Sequence, residues 1–216
     1  MEHSFWHQKW EKNEIGFHQA KPNDLLARHF DKLSLSQGSR IFLPLCGKTL
    51  DIGWFLSNGY QVTGAELSEL AIVQLFAGLE IDPEVAEIGP LKRYHAENID
   101  IFVGDIFDLT AEILGPVDAI YDRAALVALP DEMRIAYVNH MLSITKSSPQ
   151  LLITLEYDPS LMKGPPFPVG DAEVKNHYAK HFEIIILEEA DVTGALKGNI
   201  PVQQSAWYLK KMLQPS

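Results

Sequence analysis

The chain has 216 residues, a formal net charge of −11 and one cysteine, Cys46. That length supports one sizeable core with extensions, and the acidic balance speaks against a nucleic-acid partner, which requires clustered Lys and Arg. A lone cysteine excludes an internal disulfide or a cysteine-built zinc site, while the polar, aromatic start MEHSFWHQKWEKNE and the lack of a long apolar run give neither a signal peptide nor a membrane span, so a cytoplasmic protein is expected.

From residue 40 apolar runs alternate with helical patterns, the sign of a mostly parallel sheet with helices on both faces. RIFLPL reads as a first buried strand and TLDIGWFLSNGY as the helix after it, stopping at Asn58-Gly59. QVTGAEL is a second strand, and SELAIVQLFAG a second helix with Ser68 as N-cap. IDIFVGDIF and VDAIYDRAAL supply strands three and four, PDEMRIAYVNHMLSIT a helix, and QLLITLEY strand five. The Pro- and Gly-rich stretch DPSLMKGPPFPVG is a loop, DAEVKNHYAKHF a short helix, and EIIILEEA and QSAWYLKKM two last strands, most simply antiparallel neighbours. The expected fold is α/β and doubly wound: seven strands, mostly parallel, with one antiparallel strand near the edge. One domain is expected, with residues 1–39 as an N-terminal lid and helical extension and 40–216 as the α/β core.

The first strand ends in LPLCGKTL, which resembles a phosphate loop, but the position five before Gly47-Lys48 is Phe42 where a Walker loop needs Gly. A dinucleotide fingerprint also fails, since only Gly47 and Gly53 are present. Glu66, at the end of the second strand and about 20 residues past the turn, stands where an acid binds ribose hydroxyls. A one-glycine turn with a ribose-binding acid suits a nucleoside without phosphates, such as S-adenosylmethionine, with its amino-acid tail near the Leu45-Cys46-Gly47 backbone. Leu67 follows Glu66, and Asp105 lies beside Ile106 in the adenine region. Trp6 and Trp10, spaced i, i+4, share a helix face that either docks the helix or covers a ligand. Asp122-Arg123 follows strand four at the ligand crevice, where it is either a local ion pair or surface charge, or Arg123 binds the cofactor carboxylate or an anionic acceptor.

WHQKWEKNEIGFHQ, LPLCGKTLDIGWF, GAELSELAI, GDIFDL and YDRAALVALP, in order over most of residues 5–160, resemble the bacterial branch of the thiopurine S-methyltransferase family. The resemblance implies a class I methyltransferase, S-adenosylmethionine as donor, and a small soft acceptor, typically an aromatic or heterocyclic thiol. Selenium or tellurium compounds are further acceptors in that branch, in keeping with xenobiotic or metalloid detoxification. It also implies that Trp6, Trp10, Leu45, Glu66, Ile106 and Arg123 hold the donor and that Phe17 faces the acceptor; Gly47, Leu67 and Asp105 complete the donor set. Near the end, TGALKGNIPVQQSAW offers Lys197 rather than the arginine of animal relatives.

In-line methyl transfer rests on alignment and water exclusion, so no catalytic triad and no metal are expected. Candidate lids are the segment from Phe5 to His18, the stretch EIDPEVAEIGPLKRYHAEN and the loop KGPPFPVG. His177 and His181 have metal-ligand spacing without an accompanying acid, and Cys46 reads as a small residue fitted into the turn. A monomer acting on a small molecule is expected, away from nucleic acid and membrane. A dinucleotide oxidoreductase, a non-catalytic nucleoside-binding protein and a methyltransferase for another small acceptor are the competing classes.

Overall fold

In the computed structural model, residues 3–212 are described. The strands are β1 (Arg40–Leu43), β2 (Gln61–Glu66), β3 (Glu84–Ile88), β4 (Leu91–Ala96), β5 (Ile99–Val103), β6 (Ala119–Arg123), β7 (Gln150–Glu156), β8 (Phe182–Asp191) and β9 (Gln203–Lys211). They form one sheet in the order β3-β4-β5-β2-β1-β6-β7-β9-β8. β5, β2, β1, β6 and β7 are parallel neighbours, and β9 runs antiparallel between β7 and β8. The seven strands read from the sequence are therefore present, with the reversed strand one place in from the edge.

Two further strands extend the sheet, for nine among the described residues. The EIDPEVAEIGPLKRYHAEN stretch, a lid candidate in the sequence, is regular structure in the sheet. It folds as a hairpin, β3 with β4, turning at Gly89-Pro90 and pairing through β4 with β5. β3 is hard to see in sequence because it is an edge strand: Val85 is exposed between Glu84 and Glu87, and only Ile88 is partly covered. Acidic residues on such an edge discourage pairing with another chain.

Helices α1 (His3–Glu11), α2 (Asp24–His29), α3 (Asp51–Ser57), α4 (Glu69–Leu79), α5 (Ala111–Leu114), α6 (Asp131–Ile144) and α7 (Asp171–Tyr178) surround the sheet. Alternation along β1 divides the core: Ile41 and Leu43 meet Leu26, Ile52, Phe55 and Ile72 of α2, α3 and α4, while Phe42 meets Tyr137, Met141 and Tyr178 of α6 and α7. The first turn of α4 is anchored as the sequence suggests, for the Ser68 hydroxyl accepts the Ala71 N–H. Chain order reverses between β1 and β6, and that switch leaves a crevice at their carboxyl ends, where ligands of doubly wound sheets bind.

Candidate functional site

The turn after β1 is built from two left-handed residues, Leu45 at φ 46° and Gly47 at φ 52°. Close packing explains the second. A Cβ on Gly47 would stand 3.0 Å from Trp10 Cζ2, so the indole of α1 lies directly on the turn. Gly47→Ala is expected to lower stability by about 1–2 kcal/mol and to displace Trp10; an unchanged melting curve would show that the turn tolerates a side chain.

Glu66, at the end of β2, is 7% exposed and faces the same turn. Its Oε2 accepts the Gly47 N–H and its Oε1 the Ser68 N–H, both at 2.8 Å. Burial raises the Glu66 pKa, against which the N–H groups of Ser68, Gly47 and Leu67 act. Each carboxylate oxygen retains acceptor capacity, which fits the vicinal hydroxyls of a ribose. Cys46 packs its sulfur against Gly64 of β2, where a Cβ would come within 2.9 Å of it. Burial and the charge of Glu66 push this thiol well above its ordinary pKa, so it is a packing residue without thiolate character.

Arg123 closes β6. Its Nε donates to Asp51 Oδ2 and its Nη2 to Thr49 Oγ1, each at 2.7 Å. The ion pair is thus with Asp51 on α3. The adjacent Asp122 turns into the core, accepts the Tyr137 hydroxyl and the Leu126 N–H, and is raised by burial to about 6.

The N-terminal segment spans this crevice. Phe17 stacks edge-to-face with both Trp6 and Trp10, at centroid distances of 5.8 and 5.5 Å, and the Lys48 ammonium lies 5.9 Å from the Trp10 ring. Burial, then the charges of Lys48 and Arg123, lower the pKa of His18 beside Phe17. His3 Nε2 reaches Asp105 Oδ2 at 3.0 Å, which ties α1 to the turn after β5. Asp105 also accepts the Phe107 N–H, and Ile106 is buried beneath that turn. Between α1, the start of α4 and the end of β5 lies a cleft of about 420 Å3, bordered by His7, Glu11, Leu67, Ser68, Lys92 and Val103.

Lys197 lies within electrostatic reach of the N-terminal segment: Glu14 is lowered by a hydrogen bond from Lys9 and, more weakly, by Lys12 and Lys197. The KGPPFPVG loop is tied down by the Phe167 N–H to Val127 O, the Val169 N–H to Leu155 O and the Tyr157 hydroxyl to Pro166 O. The His177 pattern does have an acid beside it, since Nε2 lies 3.2 Å from Glu173 Oε1, but Glu173 also takes Arg134. Among the described residues no group of three or more His, Cys, Asp or Glu is arranged to hold a metal.

All the residues singled out in the sequence for the donor and acceptor thus lie on the crevice or on the segment over it. Three others escaped that reading: Asp51, Thr49 and His18.

The arrangement of sheet, turn and strand-end acid is that of an S-adenosylmethionine-dependent methyltransferase. The fold is shared with the Burkholderia thailandensis 1,6-didemethyltoxoflavin-N1-methyltransferase (TM-score 0.65, 14% identity, 97% of this chain and 87% of that one). It is shared too with a TehB-like S-adenosylmethionine-dependent methyltransferase from Corynebacterium glutamicum (TM-score 0.57, 13% identity, 97% and 98%). The family model for thiopurine S-methyltransferase matches residues 1–212. Thiopurine S-methyltransferases from Teredinibacter turnerae and Gluconobacter oxydans are 49% and 47% identical, over 98% and 94% of this chain and 98% and 92% of theirs. The chain belongs to the thiopurine S-methyltransferase family, and S-adenosylmethionine is its methyl donor.

Proposed function

We propose that the chain methylates a small soft nucleophile, an aromatic or heterocyclic thiol, and that selenium or tellurium compounds can take the same place. The observation that carries this reading is the pairing of an aromatic cover, Trp6, Trp10 and Phe17, with two cations at the same crevice, Lys48 and Arg123, whose charges add to burial in lowering the His18 pKa. An aryl thiol meets both conditions: its ring packs against Phe17, and its thiolate is stabilised by the cations.

Bound S-adenosylmethionine supplies a methyl group on a positively charged sulfur, open to in-line displacement. Glu66 would hold the ribose hydroxyls, with Asp105, Ile106 and Leu67 toward the base and the Leu45–Gly47 backbone toward the amino-acid end. Arg123 has three guanidinium N–H groups beyond those given to Asp51 and Thr49, enough for the donor carboxylate or an anionic acceptor. Arg123→Gln separates the two: a weaker dissociation constant for S-adenosylhomocysteine marks the first, a raised KM for the thiol the second. The tryptophans and Phe17 exclude water, which sharpens every charge interaction inside.

A thiol that ionises by itself needs no enzyme base. At subsaturating thiol the rate should rise with pH through that thiol's own pKa and then level off, and thiols of different pKa should shift the curve with them. A rise fixed at one pH would expose an enzyme group such as His18. Efficient methylation of a catechol oxygen would contradict the soft-nucleophile reading, because a phenol remains protonated at neutral pH.

A further inference from the structure

We propose that Asp51 is a positioning residue that couples the seating of the N-terminal segment to the orientation of Arg123. Asp51 stands in the first turn of α3, where an acid ordinarily complements the helix dipole. Here its carboxylate is committed elsewhere. Only 1% exposed, it accepts the Asn23 N–H on Oδ1 at 2.7 Å, and the Arg123 Nε and Tyr121 hydroxyl on Oδ2 at 2.7 and 3.1 Å.

Each side of this carboxylate leads to a different part of the site. On one, Arg123 is fixed at two points, by Asp51 and by Thr49, so the plane of its guanidinium follows the carboxylate. On the other, Asn23 is the N-cap of α2 through its Oδ1 to the Leu25 N–H, and its Nδ2 reaches back to Gln19 Oε1 at 3.3 Å. Two residues before Gln19 is Phe17, clasped by Trp6 and Trp10. From the aromatic cover the backbone runs two residues to Gln19, and hydrogen bonds lead on from Gln19 through Asn23 and Asp51 to Arg123. Asp51 and Arg123 are both shielded from water, so neither charge can replace the other with solvent, and loss of either leaves the other's geometry unsupported. The functional side of the inference rests on the proposed roles of Phe17 and Arg123 toward ligands. The structural side does not.

Hydrogen exchange of the full chain, without donor or acceptor, tests the coupling. In Asp51→Asn and in Arg123→Gln, amides of residues 13–25 should exchange about tenfold faster while β1 and β7 keep their protection, and the double variant should be no faster than the faster single. Arg123→Gln exchanging at the parental rate across 13–25, or a double variant in which the two effects multiply, overturns the inference. Should Asp51→Asn fail to fold, Asn23→Pro against Asn23→Ala serves instead. Both lose the cap, but only Pro, compatible with φ −68°, removes the N–H given to Asp51. The Pro variant should then exchange faster over residues 13–22 than the Ala variant; equal rates would overturn the coupling. Turnover of an aryl thiol in the same variants is read separately: a loss of about tenfold or more in both singles that does not multiply in the double supports the functional side. Full activity of Arg123→Gln overturns the role given to Arg123 and leaves the exchange result standing.

Discussion

Glu66→Gln is expected to weaken binding of S-adenosylhomocysteine by roughly ten- to a hundredfold while leaving the protein folded. The carboxylate is buried at the end of β2 and already accepts one backbone N–H on each oxygen. Its remaining acceptor positions suit two ribose hydroxyls, and a hydrogen bond to a charged group is worth about 1.5–3 kcal/mol. Gln keeps one acceptor oxygen for Gly47 or Ser68 but replaces the other with a donor and removes the charge. Glu66→Ala is the blunter probe, since it also strands two N–H groups and should cost about 1–3 kcal/mol of stability in addition. Calorimetric titration reads the dissociation constant directly. An unchanged value in the folded Gln variant would remove Glu66 from the donor site.

Removal of residues 1–18 is expected to leave a folded core that has lost activity by about a hundredfold or more. The sheet begins at Arg40, and the nearest core helix, α2, begins at Asp24, so its buried Leu25 and Leu26 remain in place. What goes is Trp10, 4% exposed and lying on Gly47, together with Trp6 and Phe17. Without them the crevice is open to water, and the alignment and desolvation on which displacement depends are lost. Circular dichroism and turnover on one sample separate the two effects. Full turnover by the shortened chain would mean that the segment is no lid, and loss of the fold would mean that it is part of the core.

The elements that could be read in the sequence are those with a strong local signal. Ser68 before an apolar run, Gly47 at the end of a buried strand and Glu66 at the end of the next are local patterns, and they position half of the site. β3 lacked such a signal, because an edge strand needs no buried face and its Glu84 and Glu87 look like solvated loop residues. Asp51 was illegible for another reason. An acid in the first helical turn reads as a dipole complement, and only the folded chain brings to it Asn23 from 28 residues before and Arg123 from 72 after. The His3–Asp105 pair likewise joins residues some hundred positions apart. Asp122-Arg123 reads in the sequence as a local ion pair, a surface charge or a ligand contact; strand alternation sends the two side chains to opposite faces, Asp122 to Tyr137 and Arg123 to Asp51.

Methyl transfer from S-adenosylmethionine to a soft nucleophile is tested most directly by a single labelling measurement. The purified chain is incubated with methyl-labelled S-adenosylmethionine and a matched set of a small aromatic thiol, its phenol and a catechol, and the label is followed into products. Label is expected on sulfur, with one S-adenosylhomocysteine formed per methyl transferred and little label on either oxygen acceptor. Label on oxygen in preference to sulfur, or a chain that binds S-adenosylhomocysteine yet transfers no methyl group to any thiol or selenol, would contradict it.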